Sequence, residues 1–268
     1  LVAYLRGAFL EWRVRPAAAA ASRCFEAWHT AMERGVFVDA GAAFVLYTPL
    51  AVHSGLHLDT LLDVASSVKG TSGVPLFDRA HELTHMLRTT TRFLRGEIDV
   101  DAADPFELEG RPLEDQFSVD ARVVYAATLI SLGAGARAYD ILEPVALNIG
   151  QIAFGRITAS ELAFIQGISA GALAGKRPKA ALRKRITRHR GALKKLAKGG
   201  ARHLAYKARA LDAEHAAISG RTDTAAALMQ QAVELAEQEG AHHHAGWLLL
   251  RRADLLTKQE LHREAEHL

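Results

Sequence analysis

The sequence contains few cysteines, prolines and aromatic residues. Cys24 is its only cysteine, which excludes an intramolecular disulfide framework and a zinc site built from several cysteines. Seven of the 268 residues are proline, and 7% are aromatic. Because alanine is abundant and is the best helix former, this composition favours helices over a β-sandwich. Hydrophobic residues at 49% and charged residues at 24% are ordinary values for a folded protein, so extended disorder is excluded too.

The apolar segments are too short to cross a membrane. The longest, Val36 to Val52, contains Asp39 and Pro49 and falls short of the roughly 20 residues that a bilayer requires. It predicts a buried helix, Phe37–His53, and no membrane span. The N-terminal residues do not have the pattern of a signal peptide, so the expected location is cytoplasmic. Because the first residue is Leu1 and not Met, we expect the chain to be a fragment of a longer protein.

The small net charge of +3 hides two regions of opposite sign. Residues 176–209 contain 14 Lys and Arg and no Asp or Glu, which leaves 19 basic residues against 30 acidic residues elsewhere. The chain is therefore an acidic body of net charge −11 with one basic segment. A basic segment of this local kind is only a weak indication of nucleic-acid binding.

Apolar residues recur at spacings of three and four along most of the chain, as they do in amphipathic helices. The helical stretches end at glycines such as Gly35, Gly55 and Gly96, and short turns of this kind place successive helices antiparallel. The predicted fold is all-α and built from antiparallel helix pairs. Its predicted parts are N-terminal helical repeats at 1–96, an acidic loop at 97–118 and C-terminal helical repeats at 119–268.

The last third of the chain has the spacing of a tetratricopeptide repeat, in which small residues lie where two helices cross and a glycine marks their turn. Gly220 fits the turn, and the second helix fits at Ala225, Met229, Ala232 and Val233. The next unit fits less well: Ala253 and Ala265 fit, but no glycine marks its turn. The last helices are predicted at His243–Leu256 and from Glu260 to the end of the chain. These features predict a tetratricopeptide-like superhelix, and an irregular helical bundle is the alternative.

Three stretches carry a family resemblance. They are RGAFLEWRVRPAAAAASRCFEAWHTAMERG, TTTRFLRGEIDVDAADPFELEG and ITRHRGALKKLAKGGARHLAYKARALDAEHAAISGRTDTAAALMQQAVELAEQEGAHHHA. Together they resemble the segment that follows the ATPase module in very large bacterial signalling proteins, which join a serine/threonine kinase-like domain, an AAA-type ATPase, these repeats, a GAF domain and a sensor histidine kinase. The resemblance implies a tetratricopeptide-like region that couples domains or binds a protein partner. The sequence contains none of that family's catalytic motifs, so the resemblance implies no catalytic or cofactor-binding residue.

A different function is suggested by the string HELTH at 81–85, a literal HExxH motif that looks like the motif of thermolysin-type peptidases. Residues four apart on a helix share a face, so His81 and His85 could bind one zinc ion. Glu82 could then act as the general base on a zinc-bound water. The alternative function is therefore a zinc metallopeptidase. The competing interpretation is an amphipathic repeat helix with both histidines on its flank.

The basic segment supplies the candidate interaction residues. They lie on a helix predicted at Pro178–Lys198, and they are Arg183, Lys184, Arg188, Lys194 and Lys195. A solvated face of a repeat helix is one interpretation, and docking of an acidic neighbouring domain is another. Nucleic-acid binding is disfavoured because Tyr206 is the only aromatic residue nearby.

Overall fold

A computed structural model of the chain describes residues 2–67, 75–101, 106, 108, 110–113, 115–145, 156–174 and 176–266. Within these ranges it has twelve α-helices, two 3₁₀ segments and no β-strand, which confirms the predicted all-α fold class. The α-helices are α1 (Val2–Phe9), α2 (Ala17–Glu33), α3 (Phe37–His53), α4 (Leu58–Ser67), α5 (Pro75–Leu94), α6 (Gln116–Ser131), α7 (Gly135–Leu142), α8 (Ile157–Ala172), α9 (Lys179–Lys198), α10 (Ala205–Ile218), α11 (Thr222–Gln238) and α12 (His242–Glu266). The 3₁₀ segments are Glu11–Arg13 and Arg202–Leu204.

The chain divides into two compact units. Unit 1 comprises Leu1–Ala134 and Asp140–Leu162, and unit 2 comprises Gly135–Tyr139 and Ala163–Leu268. In unit 1, α2 packs on α3, and α5 packs on α3, α4 and α6. In unit 2, α9, α10, α11 and α12 pack in chain order, each on the next. None of the helices in the described ranges is both long and apolar enough to cross a bilayer.

One turn recurs between consecutive helices. Three residues with a central glycine connect α2 to α3, α6 to α7, α10 to α11 and α11 to α12. The central residues Gly35, Gly133, Gly220 and Gly240 all have φ between 69° and 79°, a conformation that costs other residues free energy. At Gly220, the next N–H, of Arg221, donates to the carbonyl of Ala216 at 3.0 Å, the bond that closes a Schellman motif. The glycines that the sequence predicted as helix ends therefore end helices because of their own backbone conformation and hydrogen bonds.

Two predicted boundaries need correction. The chain from His242 to Glu266 is a single helix, so the prediction of separate helices at His243–Leu256 and from Glu260 is wrong. No glycine or proline lies between residues 256 and 260, so nothing in the local sequence ends the helix there.

Helix α6 begins at Gln116, inside the predicted acidic loop, because the carboxylate of Asp115 caps it by accepting the Ser118 N–H at 3.1 Å. By contrast, α3 begins and ends as predicted.

Large aromatic side chains fill the core of unit 1 between α2 and α3. Trp28 is 4% exposed, and its ring centroid lies 5.4 Å from those of Phe25 and Phe44. Tyr47 completes this group, 5.3 Å from Phe25. Aromatic pairs at these distances add packing energy beyond their buried area. Contacts between a few large aromatic side chains therefore hold α2 against α3.

Small side chains fill the corresponding space in unit 2. The buried faces of α10 and α11 are rich in alanine, namely Ala208, Ala210, Ala213, Ala216, Ala225, Ala226, Ala232 and Ala236. Because alanine projects little from the helix, the backbones of packed helices can come close together. Met229 and Val233 of α11 are also buried.

Candidate interaction surface

Helix α9 carries the predicted interaction residues, and its inner face fixes its orientation in unit 2. Leu182, Ile186, His189 and Leu193 are buried and follow a 4-3-4 spacing along one side. The five candidate residues Arg183, Lys184, Arg188, Lys194 and Lys195 are all exposed. We call these five residues the basic face of α9. The sequence predicted their exposure correctly because the apolar spacing fixes which side of the helix points inward.

Part of the positive charge of this helix is matched within unit 2. Asp212 of α10 accepts from Arg190 at 3.2 Å and from Lys194 at 3.0 Å. Among the described residues, no ion pair involves Arg183, Lys184, Arg188 or Lys195. Lys194 is therefore held on the side of α10, and the remaining four cations of the basic face point to solvent.

Two further cations of the basic segment lie against an aromatic ring. The guanidinium carbons of Arg177 and Arg185 lie 5.1 Å and 5.3 Å from the ring centroid of Tyr139, also in unit 2. Guanidinium groups at this distance are attracted by the ring's negative face. These two arginines are thus part of the packing of unit 2 and were not among the predicted interaction residues.

A buried histidine on the inner face of α9 was not predicted as a notable residue. His189 is 7% exposed, and its Nε2 lies 2.7 Å from Oε1 of Gln166 in α8. Burial, followed by the charges of Arg185 and Arg188, lowers the pKa of His189 to about 4. The ring is therefore neutral at physiological pH and donates to Gln166. Its place in the 4-3-4 apolar spacing is the sequence signal that marks it as buried.

The HELTH residues lie on α5 of unit 1, and Glu82 is engaged by two arginines. Its carboxylate oxygens accept from Arg79 at 3.0 Å and from Arg111 at 3.2 Å. Arg79 also donates to Asp115 at 2.9 Å. Both guanidinium groups lie over the ring of Phe117, at 5.7 Å and 4.8 Å. Glu82 is therefore part of an ion-pair cluster that connects α5 to the residues around the start of α6.

The two histidines of the motif share an exposed side of α5. His81 and His85 are both exposed, and His85 Nε2 lies 3.5 Å from the hydroxyl of Thr89 on the same helix. In the part of the chain that the structure describes, no group of three or more His, Cys, Asp or Glu side chains is arranged to hold a metal ion. The zinc site with Glu82 as base stays a prediction, and a third ligand for it is not identified among those residues.

Unit 2 also contains a buried ion pair that the sequence did not reveal. Arg251 of α12 donates to both carboxylate oxygens of Glu214 in α10, at 2.6 Å and 3.0 Å. Glu214 is fully buried, and the side chain of Arg251 is 13% exposed. Burial works against the charge of Arg251, but the carboxylates of Glu214 and Asp254 outweigh it and raise the pKa. A Cβ at Gly171 would overlap the ends of both side chains, so a larger residue there would displace this pair.

Comparisons with known proteins do not identify a family for this chain. A scan against protein-family models, a search of curated proteins and a search of solved structures found no match to this chain. The resemblance to the repeat region of bacterial signalling proteins and the likeness of HELTH to a peptidase motif therefore remain predictions.

Proposed function

We propose that the chain is a non-catalytic helical-repeat module that binds an acidic protein surface, on a partner or on a neighbouring domain of the same polypeptide, through the basic face of α9. The observation that carries this proposal is the contrast between the two sides of one helix. Leu182 and Leu193 anchor its inner side, while Arg183, Lys184, Arg188 and Lys195 are exposed on its outer sides. A rigid helix that presents several cations in a fixed pattern suits electrostatic recognition of a carboxylate-rich partner.

The repeat character of the proposal is supported by the recurring turn. A three-residue linker with a left-handed glycine occurs four times, and two of these linkers follow one another at Gly220 and Gly240. Short linkers of this kind favour an antiparallel arrangement of α10, α11 and α12. Alanine-rich crossings between them are the packing expected of tetratricopeptide-like helices.

The parent protein that we propose is a multidomain bacterial signalling protein containing a kinase-like domain and an AAA-type ATPase. The proposal is supported by the three sequence stretches that resemble its repeat region. In such a protein the basic face would contact another domain or a regulatory partner, and catalysis would belong to the other domains. No cofactor is assigned to this module.

An acidic protein is preferred to nucleic acid for a structural reason. Single-stranded nucleic acids are bound by aromatic side chains that stack on bases, combined with cations that follow the backbone. The basic face contains no aromatic residue, and Tyr206, the nearest aromatic residue in the sequence, is 4% exposed. The exposed charge alone is suited to carboxylates.

The experiment is a titration of the chain with a synthetic glutamate-rich helical peptide, monitored by calorimetry. We expect measurable binding that weakens steeply with salt, and at least about tenfold weaker binding in a Lys184→Glu, Arg188→Glu double variant. The matched control is Arg6→Glu with Arg34→Glu, which changes the same charge at exposed positions of unit 1. Equal binding in both double variants, or tighter binding to duplex DNA than to the peptide, would contradict the proposal.

A further inference from the structure

The outward side of α9 contains a regular stripe of cations interrupted by one glycine. Lys184, Arg188, Gly191 and Lys195 are all exposed and follow one another at spacings of four, three and four residues. This is the spacing at which residues of one helix face a neighbouring helix along a common seam. The inner face of α9 has the same spacing and is already packed, so the outer stripe is a second potential helix-packing seam.

No packing contact in the described part of the chain requires a glycine at position 191. A Cβ placed there would meet no atom within 4 Å, and its φ lies outside the left-handed region. Gly167 and Gly171 differ, because a Cβ at either position would overlap Leu211 or Glu214. A glycine inside an exposed helix costs roughly 1 kcal/mol relative to alanine. A close approach from outside the chain would account for this glycine.

Helix α11 carries a stripe that matches the first one. Asp223, Ala227, Gln230 and Glu234 follow the same spacing of four, three and four residues, on the side of α11 away from Met229. Asp223, Ala227 and Glu234 are exposed, and Gln230 is half-buried with its amide donating to Glu234 at 2.9 Å. The stripe thus has a carboxylate at each end and a small residue within it.

The two stripes are complementary when the helices run antiparallel. In that register Lys184 faces Glu234 and Lys195 faces Asp223. Arg188 then faces Gln230, whose side-chain oxygen can accept from a guanidinium group. The remaining positions bring Gly191 opposite Ala227, so that the smallest residues of both stripes meet where the backbones are closest. A parallel register would also pair the end charges, but it would place Gln230 against the glycine.

We infer that the partner of this stripe is a second copy of the chain, whose α11 packs antiparallel across α9. The inference rests on the proposed function of the basic face and specifies its occupant. Close approach at Gly191 and Ala227 brings the charged ends within ion-pair distance. One helix crossing buries less than the roughly 800 Å² per partner of a stable interface, so the association is weak and depends on salt.

The decisive experiment uses two variants that should fail alone and succeed together. Variant A carries Lys184→Glu and Arg188→Glu, and variant B carries Gln230→Lys and Glu234→Lys. When a variant associates with itself, like charges meet between α9 and α11. When A associates with B, opposite charges meet both where α9 of A contacts α11 of B and where α9 of B contacts α11 of A. Sedimentation velocity at low salt should show concentration-dependent association of the wild type, loss of at least about tenfold in each variant, and recovery in an equimolar mixture.

Gly191 provides a second and independent readout. Gly191→Ala should raise Tm, because alanine favours the helix, yet weaken self-association, because its methyl group separates the two backbones. Gly246 of α12 is the matched control, since a Cβ there also meets nothing within 4 Å. Gly246→Ala should raise Tm and leave the association unchanged. Weakening by both substitutions, or by neither, would overturn the crossing at Gly191.

The outcomes also separate this inference from the proposed function. A wild-type chain that remains monomeric at low salt, but binds the glutamate-rich peptide through α9, would overturn the second copy as occupant and leave the proposed function intact. Absence of both self-association and peptide binding would overturn both. Failure of the A–B mixture to associate, with association in the wild type, would place the self-contact elsewhere on the chain.

Discussion

Unit 1 and unit 2 use the same three-residue turn but fill the space between the connected helices differently. Around Gly35, the α2–α3 hairpin packs Trp28 against Phe44. Around Gly220, α10 and α11 pack together and bury mainly alanine. The difference shows that the same local turn can connect helices whose buried side chains differ greatly in size.

Unit 2 encloses several polar groups away from solvent. Glu214 and Arg251 pair inside the unit, His189 is neutral against Gln166, and Lys207 is 1% exposed with its ammonium group 5.3 Å from the ring centroid of Phe164. Unit 1 contains a comparable pair, Asp120 with Arg156, which are 2% and 9% exposed and lie 2.9 Å apart, but the partners of its buried Glu11 extend into solvent. Three predictions test this contrast.

The largest expected effect is the loss of the ion pair in unit 2. Glu214→Gln should lower the free energy of unfolding by about 3 kcal/mol, because it leaves the charge of Arg251 buried without its principal counter-ion. The measurement is urea unfolding followed by circular dichroism.

The matched substitution in unit 1 is Glu11→Gln. Glu11 is 5% exposed, but its partners Arg15 and Arg23 are 61% and 39% exposed, so water screens both pairs. The expected loss is about 1 kcal/mol or less. Similar losses in the two variants would show that exposure of the arginine partners does not set the contribution of these two ion pairs.

A smaller effect is expected from acid. The folded-state pKa of His189 is about 4, below its ordinary value of 6.5, so the unfolded chain takes up a proton first as the pH falls. Its contribution to stability is complete at neutral pH and is lost from about pH 6.5 down to about pH 4. Linkage gives a loss of about 2 kcal/mol by about pH 5.

The test of this titration is His189→Gln, which removes the titrating group and keeps an N–H donor for Gln166. Urea unfolding of both proteins at about pH 7 and about pH 5 gives the acid loss for each. The variant should lose about 2 kcal/mol less than the wild type over this interval. Equal losses would show that His189 is not the neutral, buried group that α9 and α8 enclose.

The smallest effect should be the same in both units. Gly35→Ala and Gly220→Ala each place a Cβ in open space but force alanine into a left-handed conformation, at a cost of about 1 kcal/mol. Gly246→Ala, with a φ outside the left-handed region, is the control and should not destabilise the chain. Thermal unfolding measures all three. A much larger loss at one turn would show that the two turns are not equivalent.

The sequence predicted much of the helical organisation because its signals are local. Glycines marked the ends of α2, α3 and α5, and the bounds of α3 were predicted to the residue. It failed at α12, where a break was predicted without a glycine or proline to cause it. The exposed basic face was predictable because Leu182, Ile186 and Leu193 already define the inner side of α9.

The remaining features depend on contacts between distant positions. Glu214 and Arg251 are 37 residues apart, and nothing in the local pattern of either helix pairs them. The environment of Glu82 likewise depends on Arg111, 29 residues away. By itself, then, the sequence determined the helices, most of their ends and the outward side of α9, since these follow from neighbouring residues. Only the tertiary structure decided which charges are buried, which are paired and which glycine is left facing solvent, because those depend on which helices pack together and how closely.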